Sequence, residues 1–303
     1  MPLNSVNTNI AAQVALQSLN KTNADLQATQ KRISTGYRVA DATDDGAAFS
    51  VAQRVRGDVG ALTTVNQQLG NAKGLVATTL TGLSSISNSV NDAKNLLVQI
   101  GDASISQTQR DQYVTSYRTL VERVADAVDA STYNGQTLLG SASGAVAGAS
   151  KQVINNESGA TSTLSAEDVS GLATQLAALI GATFSRSATG VNSWTAAAAG
   201  ADQAAASIAL TAATGASSFA AAQTGVANQL NQAGADSKFL DATITFNNSK
   251  IDSLNAGLGA LVDADLSKES ATLQALQIRQ QLGTQALSMA NQSPQSLLSL
   301  FKQ

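Results

Sequence analysis

Residues Asp263–Gln303 read DADLSKESATLQALQIRQQLGTQALSMANQSPQSLLSLFKQ, and the spacing of their apolar side chains decides how the rest of the chain is read. Laid on a heptad, the inward positions are Leu266, Glu269, Leu273, Leu276, Gln280, Gly283, Leu287, Ala290, Pro294, Leu297 and Phe301. This alternation of three and four is a coiled-coil seam. From Gln280 to Phe301 there is no charged residue, yet Gln, Ser, Asn and Thr are too frequent for the segment to span a bilayer. It is an amphipathic helix with an interrupted seam, and it needs a partner.

The same spacing recurs at the other end of the chain through Ala12, Leu16, Leu19, Asn23, Leu26, Gln30 and Ile33. Two weak seams, one at each terminus, are expected to pair. The candidate seam residues are Leu16, Leu19, Leu26 and Ile33 on the first helix and Leu266, Leu273, Leu276, Leu287 and Leu297 on the last.

Composition narrows the function. Hydrophobic residues make up 43% of the 303 residues, but aromatics only 4%, with two Pro, a balance that suits long helices better than a compact core. A net charge of −3 offers no basic stripe to displace counterions from phosphates, so no nucleic-acid partner is expected. The chain has neither Cys nor His. Thiol nucleophiles, disulfides, imidazole acid–base chemistry and the usual zinc, iron–sulfur and haem ligand sets are therefore excluded, and neither an enzyme nor a cofactor is expected. The first twenty residues lack the positive region and continuous apolar run of a secretory signal. Any export is expected to follow another route, and no apolar run long enough to cross a membrane is present.

Along the chain, Gly36 is expected to end the first helix in a left-handed cap and Thr43 to cap the next. Asp41, Asp44 and Asp45 do not have the spacing of a calcium loop and read as helix-start carboxylates rather than a cation site. From about 46 to 100 the pattern is helical through Val55, Val59, Leu62, Asn66, Leu69, Lys73, Val76, Leu80, Leu83, Ser87, Val90, Lys94 and Leu97. After a corner at 101–104 a further helix carries Tyr113, Tyr117, Leu120, Val124 and Ala127, a stripe that reads as core rather than a stacking platform. Asn134-Gly135 signals a turn. From Ser141 to Ala235 only six residues are charged, and Ala, Ser, Thr and Gly dominate. A hairpin is expected around 156–159, a short helix over 166–180, and a polar loop around Trp194, whose ring is expected to anchor the insert's own core. Residues 196–222 read equally as helix or loop. Helix returns by Val226, with a third seam at Leu240, Ile244, Asn247, Ile251, Leu254, Leu258 and Leu261.

The chain thus goes out and comes back. The expected fold is mainly α: an elongated antiparallel coiled-coil or helical-bundle rod with paired N- and C-terminal helices and a small central insert containing a β-hairpin. The expected division is 1–40 with 264–303 as a terminal coiled-coil domain, 41–140 with 216–263 as a helical rod, and 141–215 as a variable outer insert.

Four segments in order carry a family resemblance: NSVNTNIAAQVAL near the start, KRISTGYRVADATDDGAAFSVAQRVR at 31–56, YNGQTLL at 133–139, and VDADLSKES with LQIRQQLGTQALSMANQSPQSLLSLF within 262–301. They resemble bacterial flagellin over residues 1–140 and about 225–303, with no part taken by the middle. The resemblance implies a secreted, extracellular filament subunit that forms a homopolymer and serves swimming motility. It also implies export in an unfolded state by the flagellar type III apparatus, and an export chaperone, a filament cap and hook-junction proteins as partners. In that family the paired terminal helices line the filament channel, the long helices surround them and the insert faces outward.

Flagellins recognised by the animal toll-like receptor carry a basic, glutamate-bearing stretch where this chain has NDAKNLLVQ, Asn91–Gln99. Here Asp92 stands at the cationic position and Asn95 at the glutamate, beside Lys94, so the resemblance implies weak recognition. The terminal seams hold too few large apolar residues to order two helices alone, and Val14, Leu282, Met289, Leu298 and Leu300 fall outside them, available to neighbouring copies. The alternative reading is a flagellin-like surface adhesin or polysaccharide receptor, with surface glycans as partners of Trp194 and the polar insert.

Overall fold

The computed structural model describes residues 9–143, 148–198, 200–212 and 218–300, the last eight by their backbone alone. Its elements are α1 (Ile10–Thr35), α2 (Gly46–Gly101), α3 (Gln107–Ala130), β1 (Lys151–Ile154), β2 (Thr161–Leu164), α4 (Leu172–Ala178), β3 (Thr183–Arg186), β4 (Asn192–Thr195), α5 (Ala201–Thr211), α6 (Phe219–Val262) and α7 (Leu266–Leu300). The fold is mainly α with a small β-containing insert, as the periodicity requires. Two compact units divide it, Met1–Val59 with Asp252–Gln303 and Gly60–Ile251, and α2 and α6 each contribute to both.

In the first unit, α1 ends at Gly36, whose φ of 73° lets its N–H donate back to the Arg32 carbonyl at 2.8 Å. The chain then crosses the α6–α7 junction: the Arg38 and Val39 N–H groups donate to the Val262 carbonyl, and the Ala264 N–H to that of Gly36. Val39, Ala48, Ala52 and Val262 close a small core beneath this crossing. The cap of α2 is Asp45 rather than Thr43, since its Oδ1 accepts from the N–H groups of Ala47 and Ala48 at 3.1 and 3.0 Å. Asp41 and Asp44 instead hold Lys31, at 2.6 and 3.1 Å, and the Lys31 hydrogen bond keeps the Asp41 carboxyl well below its ordinary range.

In the second unit, α2 buries Leu62, Val65, Leu69, Ala72, Val76, Thr79, Leu83, Ile86, Val90, Ala93, Leu97 and Ile100, a 3-4 alternation without a break. The expected positions Leu62, Leu69, Val76, Leu83, Val90 and Leu97 are correct. Asn66, Lys73, Leu80, Ser87 and Lys94 are half-buried or exposed, and the residue before each takes its place. The α2–α3 corner is pinned by buried Arg110, whose guanidinium donates to the carbonyls of Ile100 and Asp102 at 3.0 and 2.7 Å. A Ser106–Gln109 capping box starts α3. Tyr117 is a core residue, fully buried, with its hydroxyl donating to the Leu176 carbonyl at 2.9 Å.

The insert holds the expected hairpin, β1 with β2 in antiparallel register from Lys151 opposite Leu164 to Ile154 opposite Thr161. It also holds a second one. Trp194 lies on strand β4 rather than in a loop, directly opposite Phe184 of β3, with ring centroids 4.9 Å apart. Short strands rich in Ser and Thr give almost no periodic signal, so this hairpin was not readable from sequence. Residues 201–211 are helical, and α6 begins at Phe219, earlier than Val226.

Glu167, where the insert meets α6, is fully buried and neither carboxylate oxygen has a hydrogen-bond partner. Burial first, and the charge of nearby Asp236 second, push its carboxyl up from 4.5 to about 7. A raised folded-state value means a contribution fully present below about pH 4.5 and lost as pH rises to about 7. In urea melts across that window the parent should lose on the order of 3 kcal/mol, whereas Glu167→Gln should stay nearly flat. Equal losses in both proteins would show that Glu167 does not titrate there.

Candidate assembly surface

The terminal helices meet in antiparallel register. Asn9 caps α1 by accepting from the Ala12 N–H at 3.0 Å, and its amide donates to the Ala290 carbonyl at 2.7 Å. Farther along, the Gln280 amide donates to Asn23 at 2.8 Å, and Arg32 pairs with Glu269 at 3.5 Å. The half-exposed ion pair adds little to stability and mainly fixes register. At the middle, a Cβ on Gly283 would lie 3.2 Å from Leu19 Cδ1, so glycine is what lets the two helices approach.

On α7 the face toward α1 is Glu269, Leu273, Leu276, Gln280, Gly283, Leu287 and Ala290, as expected from the heptad. On α1 it is Ala12, Ala15, Leu19, Thr22, Leu26, Thr29 and Ile33. Leu19, Leu26, Ile33, Leu273, Leu276 and Leu287 therefore sit in the seam. Leu16 and Leu266 do not: they are 47% and 49% exposed. Leu266 opens the first turn of α7, and Leu16 yields its place to Ala15. The side chains of Pro294, Leu297, Leu298 and Leu300, and Phe301 entirely, fall outside the described residues.

Thr22 and Thr29 are buried seam positions that sequence reasoning missed. Thr22 is buried at little cost because its hydroxyl donates to the Ser18 carbonyl one turn back, at 3.0 Å. That one-turn bond was the available signal, but a threonine on a polar helix looks equally at home in water.

The opposite face of α7 carries a second stripe, Ala271, Ala275, Ile278, Leu282, Ala286 and Met289, again in steps of three and four. Ile278, Leu282 and Met289 are 58%, 59% and 66% exposed. Ile10, Val14 and Leu16 are likewise open on α1. Large side chains recurring along a helix in water mark an interaction surface rather than scatter. In the second unit, Phe239 and Phe246 of α6, one heptad apart, are also exposed.

The stretch 91–99 lies on α2. Ala93 and Leu97 are buried, and Asp92, Lys94 and Asn95 are exposed, with the Lys94 ammonium 5.9 Å from the centroid of the Phe219 ring. Trp194, the aromatic of the glycan reading, donates its indole N–H to Glu122 at 2.8 Å and lies beneath the Arg118 guanidinium, 5.4 Å away. Among the described residues no group of three or more acidic, Cys or His side chains is placed to hold a metal, and no helix is long and apolar enough to cross a membrane.

The register is testable because the chain has no cysteine of its own. A Cβ at position 283 would stand 3.9 Å from Leu19 Cβ, within disulfide range. With the two helices ordered in the assembled protein, Leu19→Cys with Gly283→Cys should therefore form an intramolecular cross-link on oxidation, visible as a shift on non-reducing gels, while Leu16→Cys with Gly283→Cys should not. The reverse outcome would move the seam back to Leu16.

The bacterial flagellin N-terminal helical region matches residues 6–144, and the bacterial flagellin C-terminal helical region matches 217–301. The Caulobacter vibrioides flagellin FljM is 35% identical, covering 100% of both chains. A Brucella melitensis flagellin is also 35% identical, over 98% of this chain and 99% of its own. A crystal structure of Bacillus cereus flagellin aligns with 68% of this chain and 94% of that one at 18% identity and a TM-score of 0.32, too loosely for anything to be built on it. The terminal helices that carry the apolar stripes are thus the regions the family models describe, and the chain belongs to the bacterial flagellin family, the structural protein of the extracellular flagellar filament.

Proposed function

We propose that the chain self-assembles into the flagellar filament through its paired terminal helices, for swimming motility, after export in an unfolded state by the flagellar type III system. The observation that supports this reading is the second stripe on α7. A helix with one apolar face needs one partner; α7 has two, and the face bearing Ile278, Leu282 and Met289 is open to solvent. Only other copies, stacked about a common axis, give every subunit's second face the same cover.

The reading divides the chain by role: 1–40 with 264–303 as the filament core, 41–140 with 216–263 as the surrounding rod, and 141–215 as the outer insert. Within the core, Leu16 and Leu266 pass from the intramolecular seam to the intermolecular surface. The terminal pair orders on polymerisation, because seam positions filled by Ala, Thr, Gln and Gly return too little burial to fix two long helices in a free subunit. Such ends thread an export channel without premature association. The export chaperone, the filament cap and the hook-junction proteins are the remaining partners on this reading.

Trp194 is no longer the aromatic of a glycan site, since its ring is engaged by Phe184, Glu122 and Arg118. The chain is also a weak agonist of the animal receptor, through Asp92 and Asn95. A reporter assay should give a far smaller response than an enterobacterial flagellin does, and an equal response overturns that point.

Leu282→Glu tests the assembly surface. The charge lies on the exposed face of α7, so the helical signal of the free subunit should not change. Seeded growth, followed by negative-stain electron microscopy, should fail for the variant and succeed for the parent, because burying an unpaired carboxylate at every contact is costly. Normal filaments from the variant would remove the second stripe from the account.

A further inference from the structure

In the second unit, α2, the turn after α3 and the first hairpin enclose an open groove of about 600 Å³. Its floor is apolar, formed by Ala72, Leu75, Val153 and Leu164. Its walls carry four carboxamides, Gln68, Asn71, Asn134 and Gln136, with the Tyr133 phenol and the Lys151 ammonium. Among the described residues, none of those carboxamide or ammonium groups makes a hydrogen bond or ion pair with the protein, so the donors and acceptors are free for something else.

The turn that carries Tyr133 has a defined shape. Asn134 and Gly135 both take positive φ, 50° and 72°, and Tyr133 and Gln136 exchange two backbone hydrogen bonds of 2.9 Å across them. The Tyr133 ring is seated on α2 at Gly74, where a Cβ would stand 2.7 Å from the ring's Cζ. Glycine inside a helix costs roughly 1 kcal/mol relative to alanine, so its presence here reserves space for the ring.

We propose that this groove binds an acidic oligosaccharide. Each carboxamide offers a donor and an acceptor side by side, the pattern that meets neighbouring sugar hydroxyls. The half-open tyrosine face suits the C–H face of a pyranose, and the apolar floor drives out water. Lys151 is the sole charged group of the lining, so the chemistry selects a carboxylate-bearing sugar over a neutral one. A helical or extended peptide would leave four carboxamides facing side chains of unspecified polarity, which the wall composition does not favour.

Isothermal titration of the freshly depolymerised full-length chain with hexagalacturonate and with maltohexaose tests this. Hexagalacturonate should bind, and maltohexaose should bind much more weakly. Tyr133→Ala and Lys151→Ala should each weaken hexagalacturonate by about tenfold or more. Gly74→Ala should weaken it too, by displacing the ring, without loss of helical content. All three variants should still grow filaments from seeds, which separates this site from the assembly surface. Silence with both sugars at millimolar concentration, equal binding of the two sugars, unchanged affinity in Tyr133→Ala, or loss of filament growth in the variants would each overturn the proposal, the last by marking the groove as a contact between copies.

Discussion

Everything in the first unit depends on how closely α1 and α7 pack along a seam that is only partly apolar. Leu19, Leu26, Ile33, Leu273, Leu276 and Leu287 supply its hydrophobic content, and Ala12, Ala15, Thr22, Thr29, Gln280 and Gly283 fill the positions between. Small residues bring the helices close, as Leu19 against Gly283 shows, but they bury little area. The Asn9–Ala290 and Gln280–Asn23 hydrogen bonds then fix register more than they add stability. The result is a pair specified in geometry and modest in energy. A modest pair with a second open stripe on α7 is suited to an assembly in which most of the burial comes from other copies.

The second unit has the opposite character. Its core runs continuously from α2 and α3 through the insert to α6, with Leu83, Leu97, Tyr117, Leu139, Leu176 and Phe184 all fully or almost fully buried. Its buried Asn247 is matched, donating to Asn66 and to the Asn155 carbonyl at 3.0 and 3.1 Å and so joining α6, α2 and the hairpin. Glu167 differs in that both of its carboxylate oxygens are buried without a partner, and the cost of keeping that carboxyl from water raises its titration into the range tested above.

The amino-acid sequence made the long helices, their order and at least half of each seam legible, because leucine, isoleucine and valine recur every seven residues along them, whereas the Ala-rich stretch that holds α5 has no such recurrence. The remaining half was shifted by one residue on α1 and α2 for the same physical reason. Heptad partners three and four residues away are both near the seam, and the larger or more distinctive residue attracts the assignment: Leu16 over Ala15, Asn23 over Thr22, Asn66 over Val65, Lys94 over Ala93. Packing decides otherwise, since a small side chain, or a threonine bonded to its own helix, fits between close backbones better than a long one. On α7, where the intervening positions are Leu276, Gly283 and Ala290, the assignment matches the structure from Glu269 to Ala290, with Leu266 exposed in the first turn. The second hairpin was hidden by its brevity, and the groove at Tyr133 by the distance in sequence between Gln68, Asn134 and Lys151.

Amide hydrogen exchange of the same chain, free and in filaments, bears most directly on the claim that the termini order on assembly. The account predicts fast exchange over 10–35 and 266–292 in the free chain, slow exchange over the α2 and α3 core, and strong protection of all four segments once polymerised. Terminal helices already as protected in the free chain as the core of the second unit would contradict it.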